Sequence, residues 1–366
     1  MTPVISLHTD QARHRQVGRI ASHLFGGILA ALFTLASPGA TVRLNPIDVA
    51  DELDFIRSRI ANAVPIQDVV ISGTVRVDRN VLVAKTLTFK AGSELLFSQR
   101  ALQTGHEMFV IAAALVLEDP AHPGRITWEA PPGTPGPQPL AQAPTGQNGT
   151  GEGAVGLTGT PGSPGAPGAA GASAPTVVVF VPAANAVPLE VVLQGTPGQA
   201  GGKGQDGGVG GNGAIGESAS QSAFDCKRGP GWGGRGGNGG DGGAGGPGGQ
   251  GGDGGSLILI SKDPTAVGLK LTAPGGAGGA GGRGGQGGRP GTGGPEGSLQ
   301  LPWCHSAGRH GPDGNPGADA HNGADGLPGK EGDIRLVAVP QELIDRIAGQ
   351  DLGVNHCYWL NPFCKS

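Results

Sequence analysis

The sequence predicts a mainly β protein: a β-solenoid-like stack of strands, with glycine-rich polyglycine-II helices projecting as paired out-and-back arms and short capping helices at both ends. Three observations predict it. Glycine recurs every third residue within 153–171, 195–216, 231–255, 276–288, 308–317 and 323–332, with Ala320 as a lapse. Short β-branched runs bracket these stretches. One unit of strands plus glycine run also occurs twice, 80 residues apart. With 74 Gly and 31 Pro among 366 residues, disorder is the default reading. Disorder, however, has no reason to keep a three-residue phase.

Taken in order, the chain opens on a targeting pattern. Arg13, His14, Arg15 and Arg19 precede the apolar run LFGGILAALFTLA at 24–36, which is too short to span a bilayer. Residues 1–36 therefore read as a signal peptide with a small-residue cleavage site ending at Ala36; an uncleaved anchor and a buried helix are the alternatives. A secreted or cell-surface protein follows, with no membrane span after cleavage and with its four cysteines read as disulfides.

Residues 41–100 read as a capping helix plus the first solenoid coils. Asn45 is the cap and Pro46 the first residue, and Ile47, Leu53, Ile56 and Ile60 share one face that would cover the open end. Period-two runs over 69–97 with Gly at the corners supply the coils. Residues 101–175 form a degenerate repeat with a collagen-like run, in which 126–136 resembles 269–279. Two full repeats follow, 176–255 and 256–335, and 176–208 aligns without a gap on 256–288. Residues 336–366 hold a second helix at 340–349 and a cysteine-bearing tail.

Period three is that of an extended helix with three residues per turn and no internal hydrogen bonds, so its backbone must find partners in neighbouring segments. An intermolecular collagen triple helix is the alternative for 156–171, but the GGX triplets lack the prolines that stiffen one. The end runs carry one Gly per triplet and the middle runs two, the grading a layer needs between its edges and its interior. Trp232, Arg235, Asn238, Asp241, Ala244, Pro247, Gln250 and Asp253 then face outward as a row.

Over residues 146–332 these paired GGX runs resemble the polyglycine-II bundles of T-even phage tail-fibre adhesins. The Gly-X-X runs with a disulfide are similar to snow flea antifreeze proteins. The adhesin resemblance implies receptor binding at the loops joining the glycine runs, here 217–230 and 298–310. The chain departs from the adhesins in its export signal and leading β-coils. It departs from the antifreeze proteins in the Arg, Asp, Gln and Asn of the outward row, where a flat ice-binding face needs small uncharged groups.

The candidate chemistry is concentrated at those loops. Cys226 and Cys304 occupy equivalent tips of stacked units, which predicts a Cys226–Cys304 disulfide, with Cys357–Cys364 clipping the tail. Phe224, Arg228 and Trp232 on one tip, and Trp303, His305, Arg309 and His310 on the other, form a candidate binding patch for a glycan or cell-surface partner. In a chain with only 4% aromatic residues that concentration is unusual. The bland reading is that the rings cover the disulfide. Zinc held by the cysteines with His305, His310 or His356 matches no ligand spacing. No cofactor is expected. Weak calcium binding by Asp313, Asp319 and Asp325, which share a face, competes with a solvated acidic row, and Ser256 breaks the calcium nonapeptide pattern where an Asp is needed.

The sequence points away from an enzyme. Asp78, Arg79, Lys85, Lys90 and Glu94 are too scattered for a solenoid polysaccharide lyase or hydrolase, and no nucleophile–base constellation is present. A net charge of −4 without a basic patch argues against nucleic acid. The function expected is an exported structural or adhesive surface protein. A structural matrix or antifreeze-type protein and a carbohydrate-active enzyme are the alternatives, and the oligomeric state is left open.

Overall fold

The computed structural model describes residues 42–44, 50–61, 67–103, 105–182, 188–299, 302–304 and 308–344. In chain order its elements are β1 (Val42–Leu44), α1 (Ala50–Ala61), β2 (Val69–Ile71), β3 (Thr74–Val77), β4 (Val81–Phe89), β5 (Glu94–Phe97), α2 (Gln99–Leu102), β6 (Glu107–Leu117) and β7 (Arg125–Trp128). There follow β8 (Thr176–Phe180), β9 (Glu190–Val192), β10 (Ser220–Gln221), β11 (Cys226–Arg228), β12 (Leu257–Ser261), β13 (Lys270–Thr272), β14 (Ile334–Ala338) and α3 (Gln341–Ile344).

Twelve of these strands form two open parallel sheets, and β10 and β11 pair separately as an antiparallel ribbon. One has seven strands in the order β1-β14-β12-β8-β6-β4-β2, the other five in the order β13-β9-β7-β5-β3. From β2 to β9 the chain alternates between the sheets, and each strand pairs with the one two ahead of it, an order compatible with a solenoid. Two corners need glycine: Gly73 between β2 and β3 has φ 63° and Gly92 between β4 and β5 has φ 62°, where a Cβ is strained. The register repeats the internal alignment, with Val177 opposite Leu257 and Glu190 opposite Lys270.

The main core lies between the sheets: Leu87, Phe89, Met108, Val110, Val177, Val179, Leu257 and Leu259 of the first meet Leu95, Phe97, Ile126, Val191 and Leu271 of the second. The first sheet is apolar on its other face too, as a parallel sheet buried on both sides must be. Phe109, Ile111, Val178, Phe180, Ile260 and Val337 are covered there by Leu53, Ile56 and Ile60 of α1 and by Ile344 of α3.

These observations correct the expected class. Among the described residues the regular structure is mainly parallel strands in two open sheets and not a Gly-rich helix bundle: helix is found there only in α1, α2 and α3, and none of the glycine runs is one. Nor are α1 and α3 end caps, since both dock on the outer face of the larger sheet, where apolar area demanded cover. The signal-peptide segment, Asn45, Pro46, Ile47 and the predicted helix beyond Ile344 lie outside the described residues.

The glycine runs are extended segments that carry neither helix nor strand: their hydrogen bonds go to neighbouring segments, and a single run bonds to several of them. The run at 231–255 touches four others. Gly156, Gly159 and Gly162 donate to the carbonyls of Arg235, Asn238 and Asp241. Gly237, Gly240 and Gly246 donate to Gly211, Gly208 and Gly202, and Gly282, Gly285 and Gly288 to Gly246, Gly243 and Gly240. Gly236, Gly239 and Gly242 donate to Pro312, Asn315 and Ala318. At that spacing a side chain has no room: a Cβ on Gly243 would stand 2.0 Å from the Ser163 carbonyl oxygen. Trp232, Arg235, Asp241, Pro247, Gln250 and Asp253 are exposed, while Asn238 and Ala244 of the predicted outward row are half-buried.

The outward Asn and Asp residues tie the segments further. In six Asn-Gly or Asp-Gly pairs, the Oδ1 accepts the N–H of a residue in the neighbouring segment, and the following Gly donates to that same residue's carbonyl. This two-point clasp joins Asn148-Gly149 to Asn212, Asp206-Gly207 to Gln286, and Asn212-Gly213 to Thr292. It also joins Asn238-Gly239 to Asn315, Asp241-Gly242 to Ala318, and Asp253-Gly254 to Lys330.

Candidate functional site

The glycine segments end, away from the sheets, in a tip built from two loops. In the first, β10 and β11 form a short antiparallel hairpin. Its turn is closed by the Ser222 N–H donating to the Asp225 carbonyl, which leaves Phe224 at the bend. The Cys226–Cys304 disulfide ties the second loop to this hairpin, with 4.9 Å between the Cα atoms. Cys304 is buried, and the Trp303 N–H donates to Gln221 Oε1 at 3.2 Å. Below the hairpin, the Gly231 N–H donates to the Glu217 carbonyl and the Gly233 N–H to the Arg309 carbonyl, which seats both loops on the glycine layer.

The predicted tip residues come together on this scaffold, except His305, which lies outside the described residues with Cys357, Cys364 and His356. The three rings of the tip are largely open to solvent. Phe224 is 87% exposed, Trp232 64% and Trp303 49%. Elsewhere among the described residues, aromatic side chains are buried or half-buried: Phe89, Phe97, Phe109 and Phe180 are in the cores, and Trp128 is held by its Nε1–H to the Gln194 carbonyl. The Arg309 guanidinium lies 5.3 Å from the Trp232 ring centroid, covering one ring face by a cation–π contact. Arg228 Nη2 sits 2.5 Å from Glu217 Oε1. His310 Nδ1 donates to the Gly311 carbonyl at 2.9 Å.

Asp313, Asp319 and Asp325 are arranged differently. Each directs its Oδ1 at a backbone N–H of the neighbouring segment, Gly293, Gly287 and Gly281 respectively, and Asn322 does the same with Gly284. This row works as an edge seal for donors that would otherwise lack a protein partner. Among the described residues no group of three His, Cys, Asp or Glu side chains is disposed to hold a metal ion, and no helix is long and apolar enough to cross a membrane.

Sequence reasoning placed the tip but missed both the clasp and the edge seal. The signal for the clasp was present, since the outward Asn and Asp stand immediately before Gly; what the sequence did not show was which segment lies alongside.

No protein-family model matches the chain, and no curated protein does. Among solved structures it is similar to a springtail antifreeze protein from Granisotoma rainieri, described as a nine polyproline type II helical bundle. Identity is 26% over 48% of this chain and 97% of that one, and the TM-score is 0.08. A superposition that poor fixes nothing about fold or function.

Proposed function

We propose that the protein is an exported, non-enzymatic structural and adhesive protein whose disulfide-tied tip binds a glycan or another cell-surface component. The observation that carries this reading is the exposure of Phe224, Trp232 and Trp303 at one end of the molecule, while the other described aromatics are sheltered. Exposed rings cost solvation and promote unwanted association, so clustering them at a covalently tied tip is the arrangement of a contact surface. Export is supported by the basic and then apolar segment within 1–36 and by a disulfide, which persists in oxidising compartments.

The double substitution Trp232→Ala with Trp303→Ala tests the reading in a cell-attachment assay with the mature protein. Attachment should be lost while the disulfide and the melting temperature stay near those of the parent. Attachment that survives the double change, or that the parent never shows, leaves only a passive structural role.

A further inference from the structure

Resting on that reading of the tip, we infer that its ligand is an uncharged polysaccharide. The first ground is charge. The two loops, 217–230 and 298–310, hold the cations Lys227, Arg228 and Arg309 and the carboxylates Glu217 and Asp225. So nearly balanced a set makes no strong positive field to draw in a sulfated or carboxylated chain. Two of the cations are also engaged, Arg228 with Glu217 and Arg309 with the Trp232 ring.

The second ground is shape. With Arg309 over one face, the Trp232 ring is held in one orientation and its other face is left for a ligand. The apolar C–H face of a pyranose is flat, of indole size, and attracted to the electron-rich π surface. Phe224, Trp232 and Trp303, all exposed on the two disulfide-tied loops, offer more apolar surface than one sugar covers, which suits a polymer. Alongside, the Arg228–Glu217 pair offers donors and an acceptor of the kind that bind neighbouring hydroxyls. No bond is made or broken, in keeping with a purely binding role.

The test is affinity electrophoresis of the full mature protein through gels containing starch, xylan or hydroxyethylcellulose, with heparin and alginate as anionic probes. At least one uncharged polymer should retard the protein equally at low and high salt, since no counterion release accompanies binding. Trp232→Ala should weaken that retardation roughly tenfold, the scale of a truncated interface anchor, and Trp232→Phe should restore part of it. Because Trp232 is largely exposed, an unchanged melting temperature will separate lost contact from lost fold.

Retardation by the anionic polymers alone, abolished by salt, overturns the proposal, as does retardation by none. The double-tryptophan attachment assay then distinguishes the two failures. Attachment lost in that variant but indifferent to uncharged polymers means the tip binds another class of ligand. Attachment retained means the tip is not the binding end.

Discussion

Asp241 shows how the surface of the glycine layer is held. Its Oδ1 accepts the Ala318 N–H at 2.8 Å while Gly242 donates to the Ala318 carbonyl, so one residue pair fixes the position of a segment 77 residues away. Asp241→Ala should cost about 1 kcal/mol, the scale of one lost hydrogen bond, whereas Asp241→Asn keeps the acceptor and should be nearly neutral in denaturant titrations. Beside it, Gly243→Val must force two backbones apart and should cost about 3 kcal/mol or more, beyond ordinary overpacking. Ala244→Val, at a half-buried position of the outward row, should lower the melting temperature far less. Equal losses at 243 and 244 would refute the assigned phase. Asp206 adds a pH signature. The Lys203 ammonium bonded to its carboxylate, and then the Gln286 N–H, hold its pKa below the ordinary 3.8. The folded state therefore binds that proton less readily than the unfolded one. The stabilisation is fully present above the ordinary value and is lost as pH falls through the lowered one. Melting temperatures of the parent and of Asp206→Asn should accordingly converge at the acid end.

At the scale of elements, α1 is a cover for a sheet. Ile56 and Ile60 are fully buried against the outer face of the larger sheet, and Phe55 lies 4.5 Å from the Phe109 ring, centroid to centroid. Ile56→Ala should cost about 2–5 kcal/mol, as deletion of a buried branched side chain does; a change near zero would mean that α1 does not dock. The Cys226–Cys304 bond closes a long loop, for which loop entropy allows about 4 kcal/mol. Cys226→Ser with Cys304→Ser should lower the melting temperature and speed hydrogen exchange over 217–230. The glycine layer below it, bonded from segment to segment, should keep its protection.

At the largest scale, the described residues combine two architectures: a pair of parallel sheets with an apolar core, and a glycine layer with almost none. In the layer, backbone hydrogen bonds replace side-chain packing. The amides of Gly240 and Gly246, both buried and bonded to Gly208 and Gly202, should therefore exchange slowly, which a disordered glycine-rich chain would not allow. The run at 231–255 extends on the order of 75 Å at about 3.1 Å per residue, a stiff arm that carries the exposed rings away from the sheets. By itself the sequence determined the period of three, the outward row from Trp232 to Asp253, the 80-residue offset that recurs as strand register, and the joining of Cys226 to Cys304. All of these are written in spacing along the chain, and spacing is local information. Only the tertiary structure decided that the class is two open parallel sheets, that α1 and α3 lie on a sheet face and not over its ends, that the tip rings stay in solvent, and which segment each Asn and Asp clasps. The reason is physical. A glycine backbone offers the same donor and acceptor at every step, so nothing in the run itself names its neighbour. An apolar helix face likewise records that it needs cover without recording where. Those choices are made only when segments far apart in sequence compete for the same hydrogen bonds and the same apolar surface.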